Sequence, residues 1–344
     1  MTNKTPKIAD VAAHAGVGVG TVSRVLNDDP HVNATTREKV EQAMRELRYK
    51  PNTFARGLKS HNSKSIGVFV ADITNPLLAK ITRVIEETIQ KDGYSLLLFD
   101  TNMHKDRVNQ CIDITQDKML DGLFILGEHI TDDSQLNKLT KLNIPIVTVT
   151  MHVPMIGSKL PDNFASITIN NERAAFCATD FLVSHGAKKI ALIMSPEDDE
   201  NVGYDRYAGY CKALEHSNIP VNENLLCVNE RLCYQAGYDS IRRLINEKIE
   251  FDAVFAMADT AAFGALRALY ETGIRVPEDV SVVGFDGIEQ GEFSVPSLTT
   301  IDQPRYLMAQ ESARIMMELI QKKEVSNREI ILDFNFVQRE STTR

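Results

Sequence analysis

Tryptophan is absent from the 344 residues, and no run of about 18 apolar residues is present that could span a bilayer. Cysteine is scarce: Cys111, Cys177, Cys211, Cys227 and Cys233 form an odd, scattered set without a CxxC pair, which argues against a disulfide framework and a structural zinc site. Reduced thiols are expected. The chain also lacks a GxSxG nucleophile elbow, a P-loop and an HExxH helix, so it does not read as an enzyme. His104, His129 and His152 stand alone, and the run Asp198-Asp199-Glu200 reads as a solvated acidic turn, so neither metal nor cofactor is expected. No solenoid-period repeat and no low-complexity tract is seen. The first residues lead to Asp10 and His14 and not into an apolar signal core, which makes the cytoplasm the expected location. What is present is average: 43% hydrophobic and 25% charged residues predict a soluble chain of two or three compact units.

The net charge of −9 conceals a division. Residues 1–64 carry eleven Lys and Arg against six Asp and Glu, a balance of +5, and the remainder carries 27 against 41, a balance of −14. A small basic head on a large acidic body suggests that the head meets a polyanion.

In the head, apolar residues at helical spacing mark residues 8–15 and 21–26, with Gly16-Val17-Gly18-Val19-Gly20 between them. A third helical stripe runs over residues 35–47, with Asn33 available as its N-cap and Pro51 beyond its end. Two short helices joined by a tight turn suit a helix-turn-helix: Ala12 is small where the helices cross, Gly16 tolerates the turn, and Val22 and Val25 face back. The outward face then presents Val19, Gly20, Thr21, Ser23 and Arg24, where arginine grips a guanine edge or a phosphate. The competing reading is a plain three-helix bundle. The glycine run is not a nucleotide loop, because it follows a helical pattern and not a strand.

Residues 52–64 have the composition of an exposed connector, which divides the chain into a head (1–50), a hinge segment (51–64) and a body (65–344). The hinge is too short to be helical alone, and Leu58 has no local core to enter. From Ser65 onward, short β-rich runs alternate with amphipathic helices. Strands are expected at 66–71, 95–99, 123–126 and 146–149, then, after a restart at Pro161, at 167–169, 190–194, 253–257 and 280–284. A helix over 305–322 and a strand over 329–336 are expected to recross. The predicted architecture is an all-α helix-turn-helix head plus an α/β body of two doubly wound parallel-sheet lobes, with a ligand cleft between them.

Several ordered motifs resemble the LacI family of transcription repressors. In the head these are Ile8-Ala9-Asp10-Val11-Ala12, Thr21-Val22-Ser23-Arg24-Val25-Leu26-Asn27, Thr36-Arg37-Glu38-Lys39-Val40 and Ala55-Arg56-Gly57-Leu58. In the body they are Asn75-Pro76, Ser281-Val282-Val283-Gly284-Phe285-Asp286 and Leu298-Thr299-Thr300-Ile301-Asp302-Gln303-Pro304. The resemblance implies a periplasmic binding protein-like body and a homodimer on a pseudo-palindromic operator. Val19 and Gly20 fall at base-reading positions, Thr21, Ser23, Arg24 and Asn27 near DNA, and His31, Asn33, Thr36, Asn52, Ala55 and Leu58 among further DNA contacts. It also implies paired hinge helices that wedge leucines into the minor groove. Family members commonly carry polar residues where Gly18 and Gly20 stand. With only eight residues after Phe336 and no apolar heptads there, a dimer and not a tetramer is expected.

For the body, the resemblance implies effector contacts at Arg206 and Asp286, where forked donors and a carboxylate suit a polyhydroxylated molecule. Surface ion pairing is the competing reading. Asp259 matches the acid of an Asn-Asp pair whose partner position is Ala258, and it reads equally as an N-cap. Ala71, Leu78, Thr150 and Leu232 complete the expected cleft; Thr150 replaces a frequent aspartate, and Leu77, Leu78 and Leu232 replace frequent aromatics. A sugar or sugar derivative is the expected effector, with a purine, a sugar phosphate and a protein corepressor as alternatives. A transporter's solute-binding protein shares such a body but would need an export signal and no basic head.

Overall fold

The computed structural model describes residues 6–26, 29–49, 63–102, 105–127, 133–151, 161–196 and 202–342. The chain forms two compact units, Met1–Ser63 and Lys64–Arg344.

The first unit contains α1 (Ile8–Ala15), α2 (Val19–Leu26) and α3 (Ala34–Glu46) around a core of Val11, Ala12, Val22, Val25, Val40 and Ala43. Gly16 ends α1 at φ 65°, a conformation that strains any residue with a Cβ. Helix α2 starts two residues earlier than the apolar spacing predicts. The Gly18 carbonyl accepts the N–H groups of Thr21 (2.9 Å) and Val22 (3.2 Å), so the first turn is built on backbone that the pattern of side chains does not report. His14 on α1 meets Glu46 on α3 at 2.6 Å, which holds the Glu46 carboxyl below its ordinary value. The expected hinge contacts Asn52, Ala55 and Leu58, the recognition residue Asn27, the histidines at 104, 129 and 152 and the acidic run at 198–200 lie outside the described residues.

The second unit is two lobes. The first is built from β1 (Ser65–Val70), α4 (Pro76–Ile89), β2 (Ser95–Asp100), α5 (Lys105–Asp117), β3 (Gly122–Leu126), α6 (Asp133–Thr140), β4 (Ile146–Val149) and β5 (Phe164–Ile169). The second is built from α7 (Asn171–Ser184), β6 (Ile190–Met194), α8 (Val202–His216), β7 (Leu226–Val228), α9 (Tyr234–Asn246), β8 (Ala253–Ala256), α10 (Asp259–Glu271), β9 (Ser281–Asp286), α11 (Gln290–Phe293) and β10 (Thr299–Asp302). The chain then returns through α12 (Arg305–Ile320) and β11 (Glu329–Leu332) to the first lobe and ends in the second with β12 (Asn335–Val337). The sheets have equivalent strand orders, β11-β5-β4-β3-β1-β2 and β12-β10-β9-β8-β6-β7. All pairings are parallel except β10 with β12. Strands β1, β3, β4, β5, β6, β8 and β9 are buried along their whole length, as parallel strands covered on both faces must be.

Three expectations change. The restart after Pro161 is not a new lobe: β5 pairs with β4, Phe164 opposite Ile146, so it completes the first sheet and the crossing follows it. The single strand expected over 329–336 is two strands in different sheets, because the chain crosses between lobes at residues 333–334. Strand β7, three residues long, escaped notice because Leu226-Cys227-Val228 is too short to show a period.

Helices α9 and α10 approach through glycine. A Cβ on Gly237 would lie 1.8 Å from the Ala261 carbonyl oxygen, and one on Gly264 would lie 1.8 Å from that of Tyr234. Both obstacles are helix backbone, which cannot swing aside. Gly237→Ala is therefore expected to lower stability by about 1–3 kcal/mol, the range for overpacking, although alanine is the better helix former. Thermal unfolding checks this, and an unchanged or raised Tm is the outcome that contradicts it.

Candidate functional site

In the head, α2 buries Val22 and Val25 and turns Val19 (46% exposed), Gly20 and Arg24 outward, with Thr21 and Ser23 half-buried beside them. The arrangement is the amphipathic one: apolar residues anchor the helix, and small or polar ones leave its outer face open to a groove. Asn33 caps α3 by accepting the Thr36 N–H at 2.8 Å, so these two expected DNA contacts also satisfy one another. His31 is exposed, its backbone N–H donating to Asp29 at 2.9 Å.

In the body, a cavity of about 150 Å³ opens at the carboxyl ends of both sheets. In each sheet the order of strands reverses there, β1 lying between β2 and β3, and β6 between β7 and β8. Strands running in parallel deliver their following loops to one place, which is why crevices form at such switch points. Ala71, Asp72, Asn75, Leu77, Leu78, Gly127 and Thr150 line it from the first lobe; Ser195, Val202, Gly203, Arg206, Glu230, Arg231, Leu232, Cys233, Met257, Ala258 and Asp286 line it from the second, with Gln303 at the crossing. Of the seven expected effector residues, Arg206, Asp286, Ala71, Leu78, Thr150 and Leu232 are among these walls.

Asp259 is not. It is wholly buried at the start of α10, accepting the Thr300 hydroxyl at 2.6 Å and the Ile288 N–H at 2.9 Å. Nor is it an N-cap, a position held by Ala258. Its acceptors hold the turn after β9, where Asp286 has φ 130° and Gly287 φ 71°. A Cβ on Gly287 would stand 2.2 Å from an Asp302 carboxylate oxygen, so the turn requires glycine twice over. Thr150, one residue past the equivalent strand β4, has φ 66°. Two non-glycine residues in the left-handed region at matching places in the two lobes are strain concentrated at one cavity.

Arg206 is 8% exposed. Its Nε donates to Asn171 Oδ1 at 3.0 Å, one Nη donates to the Met257 carbonyl at 2.5 Å, and the guanidinium lies 3.7 Å from the centre of the Phe285 ring. Asp286 accepts from Gln303 Nε2 at 2.8 Å. Burial pushes the Asp286 carboxyl up to about 7, against the pull of the Arg206 charge, and Asp259 adds to the rise. Burial likewise raises Asp259, against its hydrogen bonds to Thr300, Ile288 and Gly287. Across the mouth of the cavity, Asp72 of the first lobe and Arg231 of the second form an ion pair at 2.6 Å. The other Asp72 oxygen accepts from the N–H (2.8 Å) and hydroxyl (2.5 Å) of Thr74, which aims the carboxylate and helps lower its pKa.

Sequence reasoning missed Asp72, Arg231 and Gln303. Asp72 had a signal, a carboxylate directly after an apolar strand; Arg231 follows the strand too short to read. The walls suit a small molecule bearing several hydroxyls: carboxylates and amides of both lobes can accept and donate, and Leu77, Leu78, Leu232 and Met257 supply apolar surface between them. Among the described residues no three His, Cys, Asp or Glu side chains gather as a metal set, and no helix is long and apolar enough to cross a membrane.

Two family models match the chain: bacterial regulatory proteins of the lacI family over residues 7–52, and the periplasmic binding protein-like domain over residues 179–342. The HTH-type transcriptional regulator MalR of Clostridium butyricum is 35% identical over 338 residues, covering 97% of this chain and 98% of that protein. The lac repressor dimer bound to operator and the anti-inducer ONPF matches with a TM-score of 0.82 at 29% identity, over 99% of this chain and 100% of that one. The complex of the transcriptional regulator CelR with cellobiose matches with a TM-score of 0.72 at 30% identity, over 98% and 99% of the two chains. Helical head, twin lobes and relatives agree along the whole length: the chain belongs to the lacI family and is a DNA-binding transcriptional regulator.

Proposed function

We propose that this regulator is an effector-responsive repressor of carbohydrate-utilisation genes, working in the cytoplasm as a homodimer on a pseudo-palindromic operator. Residues 1–50 read DNA, 51–64 connect, and 65–344 bind the effector and the second copy. The observation that carries the effector reading is the cavity in which Arg206 and Asp286 of one lobe face Thr150 and Leu78 of the other. For the second copy, Phe293 (76% exposed) and Tyr234 (50% exposed) line one groove of the second lobe, a patch that self-association would cover.

A thermal-shift screen of monosaccharides, disaccharides, sugar phosphates and purine nucleosides tests the ligand class. A small sugar should raise Tm, and Arg206→Ala should remove that shift, because truncating a buried hydrogen-bonded charge costs about 2–5 kcal/mol of binding. A shift by nucleosides alone sinks the carbohydrate reading.

The Asp286 carboxyl is raised, so the folded state binds its proton more tightly than the unfolded state. The burden on stability is nil below the unfolded value near 3.8 and grows until pH passes about 7. Asp286→Asn should therefore melt higher than the wild type at about pH 8 and equally near pH 4, by a few kcal/mol at roughly 1.4 per pKa unit, while losing the sugar-induced shift. Melting curves across that range decide it; a variant less stable at high pH contradicts it.

Selection from random duplexes should yield a site with dyad symmetry that binds two chains. Arg24→Ala should weaken it by about 5- to 150-fold, the equivalent of roughly 1–3 kcal/mol, and shallow the salt slope. Binding with one chain per site, or an Arg24→Ala variant of full affinity, removes this assignment.

A further inference from the structure

The chain passes between the lobes three times: from β5 into α7, from β10 into α12, and from β11 into β12. The first two crossings each carry an almost completely buried side-chain amide, Asn171 at 1% and Gln303 at 2% exposure. Each amide is bonded to a buried charged group of the cavity, Asn171 to Arg206 and Gln303 to Asp286.

At the first crossing, Asn171 Nδ2 donates to the Ile169 carbonyl (3.2 Å) and Thr168 Oγ1 (3.4 Å), both on β5 of the first lobe. Its Oδ1 accepts from Arg206 Nε (3.0 Å), on α8 of the second lobe. One side chain thus spans the boundary, with a donor on one lobe and an acceptor on the other. At the second crossing, Gln303 Nε2 donates to Asp286 Oδ1 (2.8 Å) and its backbone N–H to the Asp286 carbonyl (3.3 Å). A buried amide is unfavourable unless hydrogen-bonded, and both of these are. An amide also orients a charged group without adding a charge of its own.

We infer that Asn171 and Gln303 are positioning residues that tie the angle between the lobes to the state of Arg206 and Asp286. A ligand that draws the guanidinium or the carboxylate toward itself displaces the hydrogen-bond partner of a crossing segment, and the two crossings turn with it. Only a difference in interaction between closed and open arrangements can shift such an equilibrium; the bonds of Asn171 to both lobes supply one, and Gln303 fixes Asp286 to the segment through which the chain leaves the second lobe. The inference rests on the cavity being the effector site, but its test needs no effector, so either can fail without the other.

The test is hydrogen exchange on the full chain without ligand, comparing the wild type with Asn171→Leu, Asn171→Asp, Gln303→Met and Gln303→Glu. In Asn171→Leu and Gln303→Met, amides on the cavity walls (Gly127, Thr150, Leu232 and Cys233) should exchange about tenfold faster, while those of β3 and β8 keep their rates. Asn171→Asp retains the acceptor for Arg206 but loses the donation to β5, so its cavity walls should exchange as fast as those of Asn171→Leu, and wild-type rates in it overturn the inference. Gln303→Glu supplies a pH profile. Its carboxyl faces Asp286, with Arg206, Arg305 and Asp259 around it, so walls should be protected near about pH 5, where it can donate a proton, and exposed near about pH 8, where two carboxylates repel. Faster exchange spread evenly through the strands marks a merely structural role and overturns the inference. So do unchanged wall rates in Gln303→Met, or a Gln303→Glu variant indifferent to pH. Should Asn171→Leu not fold, the Gln303 pair decides alone.

Discussion

The body is organised around two charged groups that the fold keeps buried. Arg206 and Asp286 occupy the place where both sheets open, each held by an amide from a crossing segment. Burying ionisable groups opposes stability, and burial raises the Asp286 carboxyl to about 7 even with a guanidinium nearby. The left-handed conformations of Thr150 and Asp286 add strain at the same place. The remaining structure makes this tolerable: seven strands buried end to end, helices packed at glycine contacts, and Asp259 clamping the turn behind Asp286. A site so disfavoured in isolation is what a ligand with matching groups can relieve.

Much of this was legible in the sequence. Parallel strands announce themselves as apolar runs because both of their faces are covered, and each strand expected before residue 329 is present. The head was legible because Gly16, Val22 and Val25 each answer a separate steric demand of two short crossing helices. Arg206 and Asp286 stood out only through resemblance to a family, since neither spacing nor composition separates a cleft charge from a surface one. Asp259 shows the limit of that route. Its position matches an effector-site acid, yet its oxygens point to Thr300 and Ile288, and only three-dimensional neighbours reveal that it acts on the turn instead.

What was illegible shares one physical cause. Asp72 and Arg231 are 159 residues apart in sequence and meet at 2.6 Å because two lobes close on one another. Asn171 and Gln303 matter because the chain crosses beside them, and a crossing has no periodicity. The misplacement of β5 belongs here as well. Pro161 and the change in pattern mark a loop, but only the register of Phe164 against Ile146 says which sheet the next strand joins.

The links across the cleft are of a strength suited to a switch. A net hydrogen bond contributes about 0.5–1.5 kcal/mol, and a partly exposed ion pair such as Asp72 with Arg231 about 0–1 kcal/mol. The amide link through Asn171 and one such pair therefore sum to no more than a few kcal/mol. Allosteric coupling of about 1–3 kcal/mol already changes affinity by 5- to 150-fold. Links much stronger than these would hold the lobes in one arrangement whatever the cavity contained, and weaker ones would let them move regardless of it. The use of neutral amides at the crossings, where a buried salt bridge would bind harder, keeps the energy separating the two arrangements within reach of a single small ligand.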